Sequence, residues 1–174
     1  MSERTVTIFG TGRAKPGDSA YRLAYETGRL LAQAGFVIAN GGYGGTMEAA
    51  AKGTADAGGK IIGVTCAAFK SSTANQHVSV QITAKTLDER LDTLMKLGQA
   101  YVVLPGGTGT LLELAMVWEW KNKGFLPPGK PIILVGGFWK PLVDLIATDD
   151  ADSRYHLMQA DTPEQVRDIL TSRY

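Results

Sequence analysis

The chain is predicted to be an α/β protein, a doubly wound, mostly parallel sheet with helices on both faces, of the Rossmann-like kind. Three observations predict it. Short apolar runs, mostly β-branched, alternate along the sequence with longer segments of helical period. The glycines, 21 in 174 residues, cluster where those runs end. The run closing at Val103 empties into Leu-Pro-Gly-Gly-Thr-Gly-Thr, a turn chemistry suited to holding an anion at a helix start.

In chain order, Thr5–Phe9 reads as the first strand and is followed by Gly10-Thr11-Gly12. A helix is expected over 19–34, with Leu23, Thr27, Leu30, Leu31 and Ala34 on one side. Strand 36–39 leads through a second glycine-rich turn into an alanine-rich helix over 46–57. Strand 60–65 is followed by 67–76, polar and unpatterned, expected to be a mobile loop at the sheet's edge. Residues 78–83 are expected to form a short edge strand. Thr86-Leu-Asp-Glu89 is a capping-box pattern opening helix Leu87–Leu97. Strand 100–104, helix 111–123, strand Ile132–Val135, helix 140–147, edge strand 155–159 and helix 163–172 complete the series. With no repeat, linker or low-complexity tract, residues 1–174 are expected to form one domain.

Composition excludes several functions. Eighteen basic and 17 acidic residues leave a net charge of +1 without long like-charge runs. That speaks against a nucleic-acid-coating surface and against a polybasic membrane patch. No apolar stretch approaches the ~20 residues of a membrane span. The strand-like run that starts at Thr5 takes the place of a signal peptide, and Cys66 is the single cysteine, so a cytoplasmic protein is expected. His77 and His156 have no partner at ligand spacing, so no metal site is expected. Helix 111–123 is apolar nearly all round its first two turns (Leu111, Leu112, Leu114, Ala115, Met116, Val117, Trp118), so either both faces are buried within the monomer or one meets a partner subunit, and a homodimer is the expectation.

The turn after the strand at 100–104 holds Pro105, Gly106, Gly107, Thr108, Gly109 and Thr110. Its glycines let backbone approach a ligand, and the helix start supplies free N–H groups and a favourable dipole, so a phosphate is the expected ligand. No lysine follows, so it is not a Walker A loop. Gly10-Thr11-Gly12 lacks the third glycine of a dinucleotide fingerprint, and Ala39-Asn40-Gly41 lacks the acid that would hold a ribose hydroxyl, so no dinucleotide cofactor is expected. The turn with Gly41, Gly42, Gly44, Gly45 and Thr46 repeats the glycine-rich theme. Either it joins the first in one extended phosphate cradle, or its glycines simply make a tight turn. Glu113 has two readings as well. With Thr110 as N-cap it completes a Thr-x-x-Glu capping box; alternatively it acts on the bound molecule. Arg90 borders the stripe Leu87, Leu94, Leu97, where its stem could snorkel, or it serves the site.

These segments resemble one family. Leu-Pro-Gly-Gly-Thr-Gly-Thr-Leu-Leu-Glu113 matches the Pro-Gly-Gly-x-Gly-Thr-x-x-Glu motif of the LOG family, long mislabelled lysine decarboxylases. Gly41-Gly-Tyr-Gly-Gly-Thr-Met is similar to its Gly-Gly-Gly-x-x-Gly-Leu-Met-Gly element, and Glu89-Arg90 stands where the family places its catalytic arginine. The resemblance spans nearly the whole chain. It implies a Rossmann-like homodimer that hydrolyses the N-glycosidic bond of AMP or a cytokinin nucleoside 5′-monophosphate, with Arg90 and Glu113 catalytic and no cofactor or metal. Three positions depart from the pattern: Leu91 replaces the lysine after the arginine, Glu48 replaces the last glycine of the second turn, and Thr11-Gly12-Arg13 replaces a double serine. Molybdenum-cofactor carriers are similar in outline, so a carrier that binds without cleaving is the alternative the resemblance implies.

Overall fold

A computed structural model describes residues 4–174. Seven strands form one sheet: β1 Thr5–Phe9, β2 Val37–Asn40, β3 Ile61–Cys66, β4 Val80–Ala84, β5 Ala100–Val103, β6 Ile132–Val135 and β7 Leu157–Ala160. Their order is β4-β3-β2-β1-β5-β6-β7, and all six neighbouring pairs are parallel. The expected β-α alternation is therefore present, with parallel pairing throughout. The two weaker strand signals are the two edges of the sheet, where strands pair on one side only.

Alternation within the strands explains the two wound layers. Val6 and Ile8 of β1, with Ala100 and Val102 of β5, face helices α1 (Ser19–Gln33), α2 (Thr46–Asp56) and α6 (Pro163–Thr171). Phe9, Tyr101 and Val103 face the other way, onto α3 (Leu87–Leu97), α4 (Thr108–Asn122) and α5 (Lys140–Ile146). Both faces bury their side chains, so each central strand is apolar at consecutive positions. Helices α1 and α2 approach so closely that a Cβ at Gly28 would overlap the Ala50 carbonyl, and one at Gly53 the Tyr25 carbonyl. Only glycine fits there.

Two helix starts differ in an instructive way. Thr86 caps α3 by accepting from the Glu89 N–H, while Glu89 accepts from the Lys85 N–H, as the capping pattern predicts to within one residue. Helix α4 instead begins three residues before the expected 111, at Thr108, with Gly107 as N-cap and no side-chain cap. The strand order reverses between β1 and β5, so the chain leaves these neighbours in opposite directions and opens a crevice at their carboxyl ends. The turns starting at Gly10 and Pro105 lie there.

Candidate functional site

A cleft of about 850 Å³ occupies that crevice. It brings together Gly10, Thr11 and Gly12 after β1, the whole run from Gly106 to Thr110 after β5, and Arg90 and Glu113. Pro105 lies behind the wall, in a segment anchored by Trp139, whose Nε1 donates to the Leu104 carbonyl at 3.0 Å. Gly41, Gly42, Gly44, Gly45 and Thr46 do not line the cleft.

What the second turn does is visible in its hydrogen bonds. The Thr46 N–H and hydroxyl both donate to the Thr11 carbonyl, at 2.8 and 2.9 Å, so the N-terminus of α2 grips the turn after β1. The Asn40 carboxamide accepts from the Gly42 N–H and donates to the Met47 carbonyl, and Asn75 donates to the carbonyls of Gly42 and Tyr43. Gly45, at φ +68°, has no room for a Cβ beside Thr11 and Gly12. The second turn is packed into the protein as a support. Residues 67–76, expected as a free edge loop, are tied to it through Asn75 and to β4 through Gln81, which donates to the Ser72 carbonyl.

At Gly107 and Gly109 the situation is the reverse. Neither has a positive φ, and a Cβ on either would meet nothing within 4 Å. Both face the cleft, among the first residues of α4, whose N–H groups have no partner within the helix. Gly106 is different again, since a Cβ there would overlap the Thr110 side chain.

Arg90 and Glu113 are the buried charges of the site, 6% and 8% exposed. The Arg90 Nε donates to the Val64 carbonyl at 2.7 Å, and its Nη2 to the Gly41 carbonyl at 3.3 Å. Its Nη1 lies 3.7 Å from the Glu113 carboxylate. The guanidinium also sits 5.6 Å from the Tyr43 ring centre and 5.7 Å from that of Phe69, within cation–π range. Arg90 is thus fixed inward at the cleft and does not snorkel. Glu113 lies two turns into α4, because the helix starts at Thr108 with Gly107 as N-cap, so the Thr110 capping box does not form. Burial raises its carboxyl from the usual value to about 7, against the lowering effect of Arg90. A buried carboxylate has no capping duty to explain it, and its cation is the one beside it.

The cleft also takes in residues that the sequence pattern does not assign to it: Arg13, Met47, Phe69, Leu87, Leu91 and Leu112. Phe69 had a usable signal. It is a lone large aromatic in a polar segment leaving the carboxyl end of β3, the edge where ligands bind such sheets. Among the described residues no group of three His, Cys, Asp or Glu side chains is placed to hold a metal, and no helix is long and apolar enough to cross a membrane.

With this geometry in view, comparison places the chain among known proteins. A family model described as the SLOG cluster4 family matches residues 3–167. The chain belongs to this LOG-like family. An uncharacterized protein of Archaeoglobus fulgidus is 31% identical, over 78% of this chain and 87% of its own length. A cytokinin riboside 5′-monophosphate phosphoribohydrolase of Rhodococcoides fascians is 28% identical, over 82% of this chain and 74% of its own. Among solved structures, the molybdenum cofactor binding protein of the phototrophic bacterium Rippkaea orientalis matches with a TM-score of 0.81 at 26% identity, covering 99% of this chain and 98% of that one. The chain is thus similar both to a named hydrolase and to a named cofactor binder.

Proposed function

We propose that this SLOG chain is a nucleoside 5′-monophosphate phosphoribohydrolase acting on AMP or a cytokinin-like nucleotide. The observation that carries the reading is the buried Arg90–Glu113 pair opening onto the same cleft as the free helix start at Gly107 to Thr110. Backbone N–H groups of Thr108, Gly109 and Thr110 would hold the 5′-phosphate, with the turn Gly10 to Gly12 on the facing side. Cleavage of the C1′–N bond builds positive charge on the ribose, which the ionised Glu113 would stabilise. Water adds its oxygen to C1′, and the base leaves with a proton, giving free base and ribose 5-phosphate. Arg90 has its Nε and Nη2 occupied by carbonyls, so its part would be to hold the Glu113 carboxylate in place as an ion. Neither step calls on a resident cofactor.

The test is a panel of nucleoside 5′-monophosphates assayed for free base. At least one purine monophosphate should be cleaved, and Glu113→Gln should slow base release by about a hundredfold or more while retaining nucleotide binding. No base from any monophosphate, with the protein saturated, overturns the reading. A second reading, a carrier that binds a nucleotide or molybdenum cofactor intact, is favoured by Leu91, which puts an apolar side chain in the cleft where the LOG pattern has lysine. It predicts an intact ligand released on denaturing the purified protein, identified by mass spectrometry.

The proposal includes a homodimer. On the outward side of α4 and α5, Leu111 and Ile146 are exposed and line an apolar depression of about 270 Å³ that reaches Trp118. Ile146→Glu should convert a sedimenting dimer to monomer without loss of fold. An unchanged sedimentation coefficient would remove this face from the interface.

A further inference from the structure

The cleft has two chemically unlike sides, and the fold explains why. Its glycine turns come from β1 and β5 at the centre of the sheet. Phe69, Leu87 and Leu91 come from the chain leaving β3 and from the first turns of α3, and Leu112 comes from α4. Phe69, Leu87 and Leu112 are each about two-fifths exposed, although they are large apolar groups. Three such groups left in water around one cleft mark a surface that something apolar covers. Phe69 is braced for that use: its ring packs against Tyr43, 5.8 Å between centres, and the Tyr43 hydroxyl accepts from the Cys66 N–H.

Among the described residues lining the cleft, the hydroxyl side chains are Thr11, Thr108 and Thr110, all on the glycine turns, and none is an amide or imidazole. The Arg90 guanidinium, 5.7 Å from the Phe69 ring centre, is already committed to Val64, Gly41 and Glu113. Resting on the phosphate reading above, we infer that Phe69, with Leu87, Leu91 and Leu112, forms a slot that stacks on the flat heterocycle of a phosphorylated ligand and does not read its hydrogen-bonding edge. A site that hydrogen-bonds a polar edge rejects the wrong partner by four or five powers of ten, whereas an apolar pocket separates similar shapes by roughly ten- to two-hundredfold. Selection therefore falls on the phosphate, and the heterocycle contributes affinity without identity. A nucleobase and a pterin share this chemistry.

The experiment is calorimetric titration of the chain, using Glu113→Gln protein wherever base is released. The ligands are AMP, GMP, CMP, UMP, a pterin monophosphate, ribose 5-phosphate and inorganic phosphate. The four nucleotides should bind within about tenfold of one another, and ribose 5-phosphate about tenfold or more weaker. Phe69→Ala should weaken the nucleotides by about tenfold and leave ribose 5-phosphate unchanged, while Phe69→Trp should retain nucleotide affinity. A pterin phosphate bound up to about a hundredfold above the nucleotides, within what an apolar slot allows, supports the slot and assigns it to a carrier, whereas a pterin preference beyond about a thousandfold overturns the inference. One nucleobase preferred over the others by more than a thousandfold overturns the inference, because that requires edge recognition. Ribose 5-phosphate bound as tightly as AMP also overturns it while leaving the phosphate site standing. Equal losses for AMP and ribose 5-phosphate in Phe69→Ala overturn it too, since Phe69 would then act through Arg90. Failure to release base, with nucleotides still binding as described, sinks the hydrolase and leaves the slot intact.

Discussion

The two glycine-rich turns that enter α2 and α4 look alike as sequence and do different work. Around Gly41 to Thr46 three of the four glycines are pressed on by protein atoms: Arg90 and Met47 on Gly41, Gly63 and Thr65 on Gly42, the Thr11–Gly12 backbone on Gly45; the fourth, Gly44, is open but does not line the cleft. Around Gly107 and Gly109 nothing presses, and both glycines face the cleft. A glycine with crowded surroundings is explained by the fold. A glycine with open surroundings, at a helix start where another residue would be better for the helix, calls for an explanation outside it. Arg90 ties the two regions together, since one arm donates to Gly41 and another faces Glu113 on the helix behind Gly107.

The largest effect expected from this contrast is at Gly45. Alanine there combines a left-handed backbone at φ +68° with overlap against the Thr11 carbonyl and Gly12. Backbone strain and forced displacement together should lower stability by about 3 kcal/mol or more, measured by urea denaturation. A loss below about 1 kcal/mol would mean that the second turn does not support the turn after β1.

Next in size is a pH effect on the pair that joins the two turns. Burial raises the Glu113 carboxyl to about 7, whereas in the unfolded chain it titrates near the ordinary value of 4.5. As pH climbs from about 4.5 to 7, the unfolded state releases this proton first, so folding loses stability over that window and levels off above it. The loss is about 3 kcal/mol, fully regained below about pH 4.5. Other carboxylates impose their own slopes, so the measured quantity is the difference between the native chain and Glu113→Gln, which should lack this component. On the hydrolase reading base release uses the ionised form, so kcat/KM should fall as pH drops below about 7. Parallel stability curves for the two proteins would contradict the burial argument.

The sheet was readable because both of its faces are covered: β1, β3, β5 and β6 are apolar runs that fall within about a residue of their expected limits. The start of α4 was not readable. Gly107 and Gly109 argue against helix in any propensity reasoning, and Thr110 is the better cap by chemistry, yet the helix begins at Thr108. That displacement also removes one of the two readings of Glu113, which is a cap only if the helix starts late. Arg90 and Glu113 are both candidates in sequence, but their pairing depends on α3 and α4 packing on the same face of the sheet, a contact between residues 23 positions apart that no local pattern encodes. The second turn carries both readings in sequence because composition cannot distinguish glycines crowded by protein from glycines left open.

The smallest effect is the sharpest discriminator, and it comes from Gly109→Ala. Gly109 lies inside the first turn of α4 with φ outside the left-handed region, and an added methyl group would have no atom within 4 Å. Alanine there should stabilise the fold by about 0.5–1 kcal/mol, because it restricts the unfolded chain and favours helix. The same methyl projects into the cleft beside the N–H groups assigned to phosphate, so affinity for ribose 5-phosphate and for AMP should fall together, by about tenfold. Opposite signs in stability and affinity from one methyl group are hard to produce by any route except a ligand seated against that backbone. If alanine leaves both phosphates bound as before, the openness at Gly109 is incidental and the phosphate belongs elsewhere in the cleft. If it destabilises the chain as Gly45→Ala does, the two turns are not functionally distinct after all.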